Sequence, residues 1–215
     1  MLLPPTSCRN SRGKMNGLKW LIELIAFAAV IGAQNPPTKP GLYATFQTSL
    51  GAITARLYEK EAPIAVANFV GLAQGTKPWK DPKTGAMVTR PLYQNLTFHR
   101  VLPGVMIQSG DPSGTGAHDC GVNIRDEFLP GLRFDQAGKL AVANTGSADS
   151  GGCQFFITTD VMSSWTGKYT IFGTVISGLD VAEKISHGRM RGDRPVDPAK
   201  LISVTILRIG PAPKK

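Results

Sequence analysis

Phe98-His99-Arg100-Val101-Leu102-Pro103-Gly104-Val105-Met106-Ile107-Gln108-Ser109-Gly110-Asp111 reads as two short strands folded about a Pro-Gly turn. Proline presets its own φ and glycine accepts the left-handed conformation, so the pair marks the reversal. Arg100 and Gln108 then sit on adjacent strands, which hold polar groups more rigidly than loops do. Successive strand residues face opposite sides, so His99 is predicted to point away from the face that carries Arg100.

Outward from this hairpin the chain is rich in short strands. Tyr43 to Thr48 and Ala52 to Leu57 alternate apolar and polar residues around Leu50-Gly51, a second hairpin. Pro63 opens a helix that runs to Gly75, with Val66, Phe69, Val70 and Ala73 at helical spacing. Lys77 to Asn95, with its prolines and a Lys-Thr-Gly turn, is predicted as a long surface connection. Leu140 to Ala143, Gln154 to Thr158, Ile171 to Ile176 and Leu201 to Ile209 are further strands, and Gly178 to Ser186 is a second short helix. Pro112 to Gly121, Thr145 to Gly152 and His187 to Lys200 are loops. About eight strands with two helices predict a mainly β fold, a closed eight-stranded antiparallel barrel capped by the helices.

The opening run resembles the cyclophilin signature, in which Phe-His-Arg leads to Pro-Gly, then to Met, Gln and a Gly-Asp pair. Leu140-Ala141-Val142-Ala143-Asn144, Cys153-Gln154-Phe155-Phe156-Ile157 and Tyr169-Thr170-Ile171-Phe172-Gly173-Thr174-Val175 are similar to three further signatures of that family, in the family's order, across Gly41 to Ile209. The resemblance implies a bacterial-type peptidyl-prolyl cis-trans isomerase that assists slow proline steps in folding. Rotation about the bond before proline faces a barrier of about 18–20 kcal/mol because amide resonance stiffens the C–N bond. No nucleophile, metal or cofactor is needed. A guanidinium that donates to the amide nitrogen draws its lone pair out of resonance, and the resemblance gives that role to Arg100. It implies that Gln108, with the backbone around Ala143 and Asn144, holds the flanking main chain, and that Val105, Met106 and Phe156 line the proline pocket. Thr145, Gln154, Trp165 and Tyr169 complete the implied substrate-binding set. Val105 stands where the family commonly has phenylalanine. Counting back from Phe172-Gly173 puts Ser164 at the family's tryptophan position, Trp165 at the next, and Tyr169 at a histidine; a local shift would return Trp165 to the tryptophan role. A cyclophilin fold that holds proline peptides without turning them over is the alternative.

In cyclophilin-like folds the loop of Cys120 lies beside the strand start of Cys153, which implies either a disulfide or two free thiols at the pocket rim. The remaining cysteine, Cys8, falls in the first 33 residues. There a basic stretch from Lys14 to Lys19 precedes the apolar run Trp20 to Ile31, interrupted by Glu23, with Gly32-Ala33 following. This is the pattern of a signal peptide, with Met15 as a possible start, and it predicts a periplasmic or secreted protein; a retained membrane anchor is the alternative. A proline-rich linker over residues 34–40, the folded domain over 41–210 and a tail over 211–215 complete the organisation. The net charge of +9 is spread thinly: Arg9, Arg12, Lys14 and Lys19 against Glu23 leave about +6 for the rest, with Arg189, Arg191 and Arg194 as its one cluster. No basic stripe interleaved with aromatics accompanies it, which argues against nucleic acid. The expected partners are proline-containing polypeptides, bound by a monomer whose mature domain does not enter the membrane. Three weaker motifs are set aside. Asp149-Ser150-Gly151-Gly152 lacks an oriented base for a nucleophilic serine, the glycines from Gly110 to Gly121 lack the lysine of a phosphate loop, and His118-Asp119-Cys120 lacks a second ligand pair for zinc.

Overall fold

The computed structural model describes residues 37–212. The predicted leader, the first part of the linker and the last three residues lie outside them. In chain order the elements are β1 (Gly41–Thr48), β2 (Gly51–Leu57), α1 (Pro63–Gln74), β3 (Trp79–Lys80), β4 (Met87–Val88), β5 (Leu96–Thr97), β6 (Arg100–Leu102), β7 (Met106–Ser109), β8 (Lys139–Val142) and β9 (Phe155–Thr158). A 3₁₀ turn (Ser163–Trp165), β10 (Ile171–Ser177), α2 (Leu179–Ser186), β11 (Met190–Arg191), β12 (Arg194–Pro195) and β13 (Lys200–Ile209) follow. Among the described residues, no helix is long and apolar enough to cross a membrane.

Nine strands form one curled antiparallel sheet in the order β5-β13-β1-β2-β10-β8-β9-β7-β6. The expected closed eight-stranded barrel is corrected here, because the ladder starts at β5 and ends at β6 with no pairing between them. The two are consecutive pieces of one bent segment, separated only by Phe98 and His99. A segment cannot pair with its own continuation, so Leu96–Thr97 pairs with β13 and Arg100–Leu102 pairs with β7. The two edges of the sheet therefore meet in one stretch of chain. Phe98 N–H donates to Ala199 O (3.0 Å) and Val101 N–H to Asp193 O (2.8 Å), so the residues before β13 pack along the interruption.

The register sorts side chains onto two faces. Val101, Ile107, Ile157 and Leu140 are cross-strand partners in one row and point into the main core. That core centres on Phe69 of α1, whose ring lies 5.8 Å from Phe46, 5.0 Å from Tyr93, 5.7 Å from Phe155 and 5.1 Å from Phe172. Such aromatic pairs add about 0.5–1.5 kcal/mol each beyond the area they bury.

The start of α1 is closed from a distance. Pro63 occupies its first turn, and the cap residue, Ala62, offers no side-chain acceptor. Instead Glu127 accepts from Ile64 N–H (3.0 Å) and Ala65 N–H (2.9 Å), satisfying two otherwise unpaired donors at the positive end of the helix. Glu127→Ala is expected to cost about 1–2 kcal/mol of stability, the range for losing a helix cap. A urea titration showing a change below a few tenths of a kcal/mol would refute this.

Two stretches expected as loops carry structure. Lys77 to Asn95 contains the ribbon β3–β4 and buries Trp79, Leu92 and Tyr93, so it is part of the core and not a surface connection. Arg90 explains the fold-back: its guanidinium lies 4.9 Å over the Trp79 ring and donates to Asp81 (2.6 Å), while its carbonyl accepts from the Trp79 indole (2.8 Å). His187 to Lys200 contains the ribbon β11–β12, turned by Gly192 (φ 64°) and Asp193.

Candidate active site

The face opposite the main core carries a second row. Arg100 on β6 lies across from Gln108 on β7, Gln108 from Phe156 on β9, Phe156 from Ala141 on β8, and Ala141 from Ile171 on β10. A parallel row places Leu102 opposite Met106 and Met106 opposite Thr158. One guanidinium and one carboxamide thus adjoin a continuous apolar strip. Gly104 (φ 69°) makes the turn between β6 and β7, and its N–H donates to Ser186 Oγ at the end of α2 (2.7 Å).

The strip is the centre of a second apolar cluster, separate from the main core. Met106, Phe134, Ala141, Phe156 and Ile171 are buried in it, and Val105, Trp165 and Tyr169 line its sides, half-buried. The Trp165 and Tyr169 rings stand edge-on to Phe156 at 5.5 and 5.1 Å. Trp165 therefore packs on the apolar cluster while Ser164 faces solvent. Phe134 was not legible as a site residue. It is an isolated aromatic in a long loop, yet it is fully buried and stacks on Phe156 at 6.0 Å.

The other predicted residues gather in an adjoining cleft of about 370 Å³, lined by Gln108, Gln154, Ala143, Asn144 and Thr145 with the Cys120–Cys153 pair. The two sulfurs are joined as a disulfide, with Cα atoms 6.4 Å apart. Asn144 spends its side chain on the loop: its amide donates to Lys168 O (2.9 Å) and its oxygen accepts from Gly146 N–H (3.1 Å). Thr145 N–H donates to Ser150 Oγ (3.1 Å), which places that serine in loop packing.

A chain of hydrogen bonds orients Arg100, Gln108 and Gln154 between the apolar cluster and the cleft. Arg100 donates through Nε to Asp193 Oδ2 (2.9 Å) and through Nη1 to Gln108 Oε1 (3.3 Å). The Gln108 amide donates to Gln154 Oε1 (2.8 Å), and the Gln154 amide donates to Gly116 O (3.1 Å). Gly116 N–H in turn donates to Asp111 Oδ2 (2.5 Å). Burial alone would push the Asp111 carboxyl up, but donors from Ser113 and Gly116 outweigh it and hold it below the usual carboxylate range.

His99 does not point away from this network. Its Nε2–H donates to Gln154 Oε1 (3.2 Å), and the residue is buried. The alternation rule fails there because His99 precedes the ladder, which begins at Arg100. Burial pushes its pKa below the ordinary histidine value, against opposing pulls from Asp111 and Gln154. A neutral ring in the folded state means that unfolding takes up a proton, so stability is complete above about pH 6.5 and declines as pH falls toward the lowered value. Urea midpoints of the wild type should drop between pH 7 and 5, and His99→Gln should lose much of that dependence. Parallel curves for the two proteins would contradict this.

A mainly β fold with two helices and this curled antiparallel sheet matches the cyclophilin architecture. A cyclophilin-type isomerase from Cryptosporidium parvum superposes with a TM-score of 0.67 at 26% identity, over 78% of this chain and 98% of that one. The same protein solved in the presence of the dipeptide Ala-Pro gives 0.64 at 28% identity, over 78% and 99%. The family profile described as "Cyclophilin type peptidyl-prolyl cis-trans isomerase/CLD" matches residues 43–206. Peptidyl-prolyl cis-trans isomerase A of Mycobacterium tuberculosis is 45% identical over 166 residues, 76% of this chain and 91% of that protein. Peptidyl-prolyl cis-trans isomerase B of Streptomyces anulatus is 43% identical over 169 residues, 77% and 96%. The chain belongs to the cyclophilin-type peptidyl-prolyl cis-trans isomerases.

Proposed function

We propose that this isomerase turns Xaa-Pro bonds with Arg100 as its catalytic group. The observation that carries the reading is the single row Arg100–Gln108–Phe156, which sets a fixed cation and a carboxamide beside an apolar floor. A proline ring seated over Phe156 and Met106, among the half-buried Val105, Trp165 and Tyr169, gains about 2 kcal/mol from burial and is held there as the bond twists. Two of the five guanidinium donors are committed to Asp193 and Gln108, and the Nη2 end carries donors for the prolyl nitrogen. As the bond leaves planarity the nitrogen regains its lone pair and becomes an acceptor, so Arg100 binds the twisted state better than the planar one. Gln108 and the main chain at Ala143 and Asn144 hold the preceding carbonyl. No bond is made or broken. Isomerisation of a short Xaa-Pro peptide by wild type and by Arg100→Ala tests the reading, and a protein that binds the peptide without accelerating it would be a binding module instead.

We further propose that the protein is bacterial and exported through the segment ending near Ala33, and that it acts as a monomer on proline-containing polypeptides and not on nucleic acid. The basic-then-apolar pattern of that segment supports export, as does the Cys120–Cys153 disulfide, since such bonds persist in oxidising compartments. N-terminal sequencing of the protein from periplasm and membrane fractions separates a cleaved leader from an anchor.

A further inference from the structure

We infer that Asp193 is a positioning residue for catalysis: it aims the Arg100 guanidinium at the substrate by holding its Nε edge. The inference rests on the isomerase reading above and adds a residue to it.

Arg100 stands at the open end of its row, and its side chain is 45% exposed. A long arginine side chain at such a place samples many rotamers, and freezing it is costly in entropy. Gln108 alone holds it only loosely, through one neutral acceptor at 3.3 Å. Asp193 Oδ2 takes the Nε–H at 2.9 Å from another side, and two separated acceptors fix the plane of the fork. The Arg100 donor holds the Asp193 carboxyl below its ordinary range, so the partner is an anion at neutral pH.

Asp193 is itself firmly mounted. It shares the two-residue turn between Arg191 and Arg194 with Gly192, which takes a positive φ of 64°. Its carbonyl accepts from Val101 N–H (2.8 Å), on the residue next to Arg100. The same ribbon is tied at Val196 N–H to Arg189 O (2.8 Å) and at Arg194 Nη2 to Thr115 O (2.8 Å). Main chain and side chain of one residue thus grip two consecutive residues of β6. An ion pair this exposed adds about 0–1 kcal/mol to folding, so stability gives little reason for it. Its geometric effect falls on the catalytic group.

The test is a double-mutant cycle on full-length protein with a short Xaa-Pro peptide, reading isomerisation rate, peptide affinity by titration and thermal midpoint. Asp193→Ala should lower the rate about tenfold while affinity stays within about twofold, because aim matters in the twisted state while the apolar cluster and the cleft govern ground-state binding. Asp193→Asn keeps an acceptor at the same position and should recover most of the rate. In the Arg100→Ala background, Asp193→Ala should have no further effect. Two results overturn the inference while leaving Arg100 catalytic: an Asp193→Ala rate equal to wild type, or an equal loss in both backgrounds. A wild-type rate in Arg100→Ala would instead remove the catalytic assignment of Arg100 on which the inference rests.

Discussion

Replacing Arg100 by alanine is expected to lower kcat/KM for a short Xaa-Pro peptide by about 10²–10³-fold, the usual cost of losing one preorganised donor aimed at developing transition-state charge. The size of the effect follows from where the residue sits. Its two held donors need no reorganisation as the bond turns, and an apolar cluster lies beside them on the same face of the sheet. Arg100→Lys should recover little, because a single ammonium cannot hold Asp193 and Gln108 and still donate to the prolyl nitrogen. Folding should hardly change, since Arg100 is exposed and stands on the face away from the main core. An Arg100→Ala protein with wild-type kcat/KM would end the mechanism.

The second large effect concerns the disulfide. The bond joins residues 33 positions apart, and closing a loop of that length stabilises a protein by about 3.5 kcal/mol in the chain-entropy estimate. The two anchors are unequal. Cys153 is held from the core, where Tyr93 Oη donates to its carbonyl (2.9 Å) and Asn68 Nδ2 donates to the preceding Gly152 O (2.8 Å). Cys120 is in a loop of the cleft wall, where Lys80 N–H donates to its carbonyl (2.8 Å). Cutting the bond should therefore loosen the Cys120 side first. A double Cys120→Ala, Cys153→Ala variant, chosen because both positions are buried, should unfold at clearly lower urea than the oxidised wild type. Reductant should bring wild type down toward the variant. Identical midpoints for oxidised wild type and variant would defeat the prediction.

Much of this site was legible because it lies on strands. Once Arg100, Gln108 and Phe156 are assigned to three strands of an antiparallel sheet, period-two alternation and register bring them to one face, and the same rule sends Val101, Ile107 and Ile157 to the other. Residues outside the ladders escaped. His99 sits in the two-residue gap between β5 and β6, where alternation has no force. Phe134 and Asp193 lie in long polar stretches whose path is set by contacts distant in sequence: Phe134 N–H donates to Thr166 Oγ1 (3.2 Å), and Asp193 pairs with a residue 93 positions away. The strand count went astray for a related reason. Local pattern registers a strand but not the corner at which one segment changes partners.

Because each strand beneath the site divides its residues between two opposite faces, the chain can change what it accepts without renegotiating how it holds together. Val105 and Trp165 pack on the second apolar cluster and Thr145 lines the cleft, and none belongs to the main core, so on the proposed mechanism variation there retunes preference for the residues flanking proline while Phe69 and its ring neighbours stay as they are. A scaffold built this way can be respecialised for new clients in small steps, each nearly free of a folding penalty.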